Sequence, residues 1–123
     1  MTLNRALRLR KNSEFQRVRQ QGRSTTSRLL ILAWAPNVEA KVRVGFVVSK
    51  RISKHAVERN YIKRLLSEAI RPLLTELSGN CDVVISARSN IVGKDLQTIA
   101  YDIETLLRRA RLLNPLKTTG PSS

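Results

Sequence analysis

The stretch from Ser49 to Arg71 reads SKRISKHAVERNYIKRLLSEAIR, and it leaves the fold little choice. Ile62, Leu65, Leu66, Ala69, Ile70 and Leu73 recur at helical spacing and draw one apolar stripe. At about 100° per residue, Arg59, Asn60, Lys63, Arg64 and Arg71 fall within an arc of roughly 140° centred on another side, with Ile70 overlapping its edge. A helix over residues 54–71 must therefore bury one face and hold a dense basic face in water. Lys50, Arg51 and Lys54 extend that patch at the N-terminal end, where free N–H groups add positive potential. Ser53 can cap the start. Pro72 lacks an N–H and should kink or end the helix.

The charge on this helix is part of a larger imbalance. Lys and Arg total 23 and Asp and Glu 9, a net charge of +14 on 123 residues. So positive a surface repels itself, a cost usually tolerated because the partner is a polyanion. Nucleic acid, an acidic membrane surface and an acidic protein are the candidates, and charge and organisation together favour nucleic acid. Sixteen of the bases are Arg, whose planar guanidinium can grip a phosphate and stack on a base. The bases fall mainly in two blocks, residues 1–28 and 50–72.

The remaining elements follow from patterning. Residues 12–21 predict a short helix, capped by Asn12 or Ser13 and stopped by Gly22, with Phe15 and Val18 on one face. Arg23 to Arg28 is polar and is expected to be irregular. Leu29 to Ala35 and Val42 to Ser49 predict strands, and the short loop from Pro36 to Lys41 predicts an antiparallel hairpin between them. Asp82 to Ala87 predicts a third strand. Lys94 or Asp95 to about Leu113 predicts a closing helix with Leu96, Ile99, Ile103, Leu106, Leu107 and Ala110 on one face. The order α-β-β-α-β-α implies an α/β (α+β) fold, a small α-β sandwich on a mostly antiparallel sheet. Residues 1–113 are expected to form one RNA-binding domain, with 114–123 a disordered tail.

The sequence offers little for protein-borne catalysis. Its acids are scattered, and it has a single His, His55, near a helix start, where a phosphate contact or a surface role suits it better than catalysis. Cys81 has no metal-ligand companion and fits a buried strand position. No catalytic residue and no metal site are therefore expected on the protein. Trp34 is read as a core or rim residue rather than a stacking platform. No apolar run is long enough to span a membrane, and MTLNRALRLRKN has no apolar stretch of the secretory kind. With a lone cysteine and no such signal, a cytoplasmic setting is expected.

One further reading rests on a resemblance. The strand Arg43, Val44, Gly45, Phe46, Val47, Val48, Ser49 runs into Lys50, Arg51, Ile52, Ser53, Lys54, then Ala56 and Val57, then Arg59, Asn60, Tyr61, Ile62, Lys63, Arg64 and Leu65. Arg8, Leu9, Arg10, Lys11, Phe15, Val18 and Gly22 precede it, and Ile85 to Arg88 follow. Together these resemble the bacterial ribonuclease P protein subunit over about residues 8 to 113. The sequence departs from that pattern at Tyr61, where Arg is usual, at Ser67, where a base is common, and at Arg19, where an aromatic is often found. Tyr61 is expected to pack its ring at the core edge.

The resemblance implies a ribonucleoprotein endonuclease whose RNA subunit performs the hydrolysis with bound Mg2+, while the protein binds no cofactor itself. The implied partners are the catalytic RNA and precursor tRNA, with no membrane and no required protein partner. Lys50, Arg51, Lys54, Arg59, Asn60, Lys63 and Arg64 are the implied RNA-binding residues. Phe15, Arg19 and Ser49 are implied to line a cleft for the 5′ leader of the precursor. An unusual left-handed β-α-β crossover around the basic helix is also implied, against the general right-handed rule. A ribosomal or other structural RNA-binding protein is the main alternative.

Overall fold

The computed structural model describes residue 9 and residues 12–37, 42–77 and 81–112. The elements are α1 (Asn12–Gln21), β1 (Arg23–Thr26), β2 (Leu30–Pro36), β3 (Arg43–Val47), α2 (Ala56–Ile70), β4 (Cys81–Ala87) and α3 (Leu96–Arg109). Short 3-10 turns at Arg71–Glu76 and Ser89–Ile91 follow α2 and β4. The strands form one sheet in the order β1-β2-β4-β3. β2 runs antiparallel to β1 and β4, while β3 is parallel to β4.

Two expectations about the sheet fail, for physical reasons. Arg23–Thr26 is not irregular but an edge strand paired with β2. Its polar side chains suit an edge, where one flank meets water. The hairpin between the second and third strands is absent, because β4 lies between them. Residues 81–86 are buried throughout, so the most fully buried strand takes a central place. The consequence is a β3-α2-β4 crossover in which the basic helix links two neighbouring parallel strands.

Strand alternation divides the core in two. Leu30, Leu32, Val44, Val83 and Ile85 face one side and meet Ile62, Leu66 and Ile70 of α2 with Ile99, Ile103, Leu106 and Leu107 of α3. Each such side chain contributes ~1.5–3 kcal/mol on burial, so this side carries most of the hydrophobic stabilisation. The other face is smaller: Ala33, Ala35 and Val84 meet Val18 of α1 and Leu9, with Phe15 and Val47 at the margin.

Helix ends show where local chemistry acts. α1 has the expected bounds. It stops at Gly22 because a Cβ there would collide with the carbonyl oxygens of Trp34 and Val18. α2 starts two residues later than expected. Ser53 does not cap it; its Oγ accepts the His55 N–H at 3.1 Å and shapes the preceding turn, and His55 becomes the N-cap residue without a side-chain bond. Pro72 sits at the start of the 3-10 turn that replaces α2, as its missing N–H requires. Asp95 caps α3 by accepting the Thr98 N–H at 2.9 Å, which helps hold its carboxyl below the usual range. Cys81 is buried in β4, where burial pushes its thiol up. The expected tail at 114–123 lies outside the described residues, as do Arg8, Arg10, Lys11 and most of the loop from Pro36 to Lys41.

Candidate nucleic-acid interface

The connection from β3 to α2 presents three bases. The Ile52 N–H donates to the Ser49 carbonyl at 3.0 Å, closing a turn that carries Lys50 and Arg51 on its outside. Arg59, one turn into α2, reaches back and donates from Nη1 to the Ser53 carbonyl at 3.0 Å. That bond ties the loop that carries Lys50, Arg51 and Lys54 to the first turn of the helix that carries Lys63 and Arg64. Arg59 is half-buried, whereas Lys50, Arg51, Lys54, Asn60, Lys63 and Arg64 are exposed. Arg59 thus organises the basic surface as well as adding to its charge, which the helical wheel alone did not reveal.

The arc is narrower than its helical wheel implies. Ser67 and Ile70 are buried, which sets Arg71 apart from Arg64 along the helix. Tyr61 departs from expectation: it is 54% exposed rather than packed at the core edge. The ring therefore stands beside Arg64 in solvent. His55 is exposed at the helix start.

What makes this face available to a polyanion is the use of the acids elsewhere. Glu14 pairs with Arg43, Asp82 with Arg43 and Arg17, and Glu104 with Arg108. Asp102 accepts from the Ser27 hydroxyl and Asp95 from a backbone N–H. Among the described residues, Lys50, Arg51, Lys54, Lys63 and Arg64 make no ion pair. Of the two acids on α2, Glu58 lies on the flank opposite the basic arc, while Glu68 borders it and lies within the field of Arg64 and Arg71.

The second candidate site lies across the sheet. Glu14 and Arg17 fasten one flank of α1 to the row formed by Arg43 and Asp82, while Phe15 on the other flank lies on Gly45. A Cβ on Gly45 would come within 2.5 Å of the Phe15 ring, so the glycine lets the helix seat closely. The next row of the same face, Ile31, Ser86 and Val47, is in register across β2, β4 and β3. Ile31, at one end of this row, is 38% exposed, while Val47 is half-buried and Ser86 is buried. Phe15 and, one turn on, exposed Arg19 border the row, and exposed Ser49 follows two residues after Val47. Ile31, Val47 and Ser86 escaped sequence reasoning because only strand pairing puts them in line.

Asp82 is the anchor of that side. It is 0% exposed and accepts Nε and Nη2 of Arg43, each at 2.9 Å, together with Arg17 and the Asn37 amide. Burial alone would push its carboxyl up. Hydrogen bonds from Arg43, Asn37 and Arg17 and the charge of Arg43 outweigh burial and hold it below its ordinary value.

Among the described residues, no group of three or more His, Cys, Asp or Glu could hold a metal ion, and no helix is long and apolar enough to cross a membrane. The ribonuclease P family pattern matches residues 3–111. The ribonuclease P protein component of Chloroflexus aurantiacus is 43% identical over 112 residues, covering 90% of this chain and 82% of its own. That of Caldanaerobacter subterraneus is 39% identical over 104 residues, covering 85% and 89%. The solved RNase P protein of Staphylococcus aureus aligns with a TM-score of 0.81 at 29% identity, over 89% of this chain and 100% of that one. The Thermotoga maritima RNase P protein, at 24% identity and a TM-score of 0.75, shares the fold. Matching almost end to end in sequence, and in architecture as well, this chain belongs to the ribonuclease P protein family.

Proposed function

We propose that this protein is the RNA-binding subunit of ribonuclease P, assisting endonucleolytic removal of the 5′ leader from precursor tRNA in the cytoplasm. The observation that carries the reading is the one-sided surface of Lys50, Arg51, Lys54, Lys63 and Arg64, exposed and forming no ion pair among the described residues. Residues 1–113 act as one domain. The α2 surface engages the catalytic RNA: Lys and Arg contact phosphates, Asn60 a sugar hydroxyl or base edge. The β3-α2-β4 connection has the left-handed sense that the family resemblance implies.

The leader of the precursor lies along the sheet face beside α1, where Ile31 is exposed, with Phe15, Arg19 and Ser49 at its border. Bringing two RNAs together is opposed by their phosphates, and a protein of net charge +14 offsets that repulsion. The chemistry belongs to the RNA. Divalent metal acts there, and the acids among the described residues are too dispersed to fit a metal site, so no step on the protein is routed through one. The test is reconstitution: adding the protein to a bare ribonuclease P RNA at low magnesium should stimulate cleavage of precursor tRNA at the 5′ junction. RNA binding without any stimulation would overturn the reading in favour of a purely structural RNA-binding protein.

A further inference from the structure

A second basic groove lies at the opposite edge of the sheet from β3. It has a volume of about 590 Å³ and lies between edge strand β1 and the last turn of α3. Arg23, Ser24 and Thr25 line it from β1, Arg109 and Arg111 from the end of α3, and Trp34 from β2. Register places Arg23 directly opposite Trp34, so both side chains leave the sheet on the α3 side. Trp34 packs against the core yet remains part-exposed, the placement of a rim residue with one open surface.

Three features separate this groove from an ordinary solvated edge. Its arginines are unneutralised: Arg23, Arg109 and Arg111 are exposed and form no ion pair among the described residues, although neighbouring Arg108 pairs with Glu104. The chain beyond, residues 113–123, contains no acidic side chain to neutralise them. The walls are also pinned together, because Nη1 of Arg109 donates to the Thr26 carbonyl at 3.2 Å and the Ser27 hydroxyl donates to Asp102 of α3.

The third feature is the way α3 ends. The Leu112 N–H donates to the Leu107 carbonyl and the Arg111 N–H to the Arg108 carbonyl, each at 3.0 Å, which is a Schellman closure. That closure requires a left-handed residue, usually glycine, yet Arg111 occupies it at φ 61. A side chain is thus kept at a strained position where its absence would relax the backbone. Helix C-termini ordinarily repel anions. Here the closure satisfies two of the terminal carbonyls, and the positive charges of Arg109 and Arg111 oppose the negative end of the helix dipole.

We propose that this groove binds a single-stranded RNA segment, stacking one unpaired base on Trp34 while Arg23, Arg109 and Arg111 hold the adjoining phosphates. An aromatic surface flanked by guanidinia suits an unpaired nucleotide, since base stacking and phosphate contacts act within one residue length of the strand. The hydroxyl of Thr25, on the same face as Arg23 and Trp34, adds a partner for a ribose. The site is separate from the α2 surface and from the α1 cleft, and it stands whether or not the protein assists cleavage.

Trp34 is the sole tryptophan of the chain, so its fluorescence reports on this groove directly. Titrating the full chain with an oligoadenylate of about ten nucleotides should give saturable quenching that weakens with salt. Inorganic tripolyphosphate should compete for the site with much less quenching. Arg111→Gly should weaken oligoadenylate binding roughly tenfold, about 1.4 kcal/mol. The same change should leave the melting temperature unchanged or raise it by up to roughly 5 °C. Arg109→Ala should weaken binding similarly, and Lys63→Ala with Arg64→Ala should leave the quenching curve in place. Repeating the titration with catalytic RNA and with precursor tRNA tells which supplies the strand. Absence of quenching, equal quenching by tripolyphosphate, or full affinity in a stable Arg111→Gly protein overturns the proposal.

Discussion

The two charged surfaces of this protein use the same side chains for opposite ends. On the α1 side, Arg17 and Arg43 converge on buried Asp82, and Glu14 closes the set. On the α2 side, Lys63, Arg64 and the bases of the preceding loop form no ion pair among the described residues, although Glu68 of the same helix lies within the field of Arg64 and Arg71. Arginine that finds an acid in its own chain becomes a fastener; arginine that does not is left to find one elsewhere. Whether a base serves structure or binding is therefore decided by where the few acids lie.

The sharpest way to break this contrast is to remove the central acceptor. Asp82→Ala should cost roughly 3–5 kcal/mol, because Arg17 loses its counter-charge and part-buried Arg43 keeps only Glu14, and urea unfolding would measure the loss. Next comes Gly45→Ala, where the new methyl must displace the Phe15 ring at a cost of ~1–3 kcal/mol. The same change should reduce binding of a leader-length RNA.

Lys63→Ala with Arg64→Ala should do the reverse. Stability should move by less than ~0.5 kcal/mol. Affinity for the catalytic RNA should fall roughly tenfold, with the log–log salt slope smaller by about 1.4–1.8 if each base meets one phosphate. A large stability change would mean that these bases are fastened after all.

Acid offers a gentler probe. The Asp82 carboxyl is held below its ordinary value of 3.8 in the folded protein. Its contribution is therefore present in full above that value and is lost as pH falls through the depressed folded value. Urea midpoints should accordingly drop more steeply below about pH 4 in the parent than in Asp82→Asn. The smallest expected effect is Asp95→Ala, about 1 kcal/mol for the lost cap of α3, with RNA binding unchanged.

Local signals in the sequence located the helices well. Asn12 and Gly22 bracket α1, and the 3.6-residue stripe and Pro72 delimit α2 to within two residues at its N-terminal end. Pairing was harder, since nothing local to Arg23–Thr26 declares a strand and nothing in the loop from Pro36 to Lys41 announces that β4 will insert. Sheet order is set by which strand is most fully buried, a property of the whole chain. The anchor at Asp82 left a trace that was passed over: an acid inside the run Cys81–Ala87 must acquire partners if that run is buried. Of the candidate site, the bases of α2 were legible because helical periodicity is local. The role of Arg59 in tethering the loop was not, because it depends on a backbone carbonyl six residues away.

The crossover from β3 through α2 to β4 has a consequence for assembly. The basic helix connects two strands that pair with each other, and Ile62, Leu66 and Ile70 bury its apolar face in the core on their sheet, so tilting or sliding it would open that core. The protein therefore meets RNA as a finished template. Whatever reshaping accompanies docking on this helix falls to the nucleic acid, and the entropy lost on ordering should be chiefly that of the RNA.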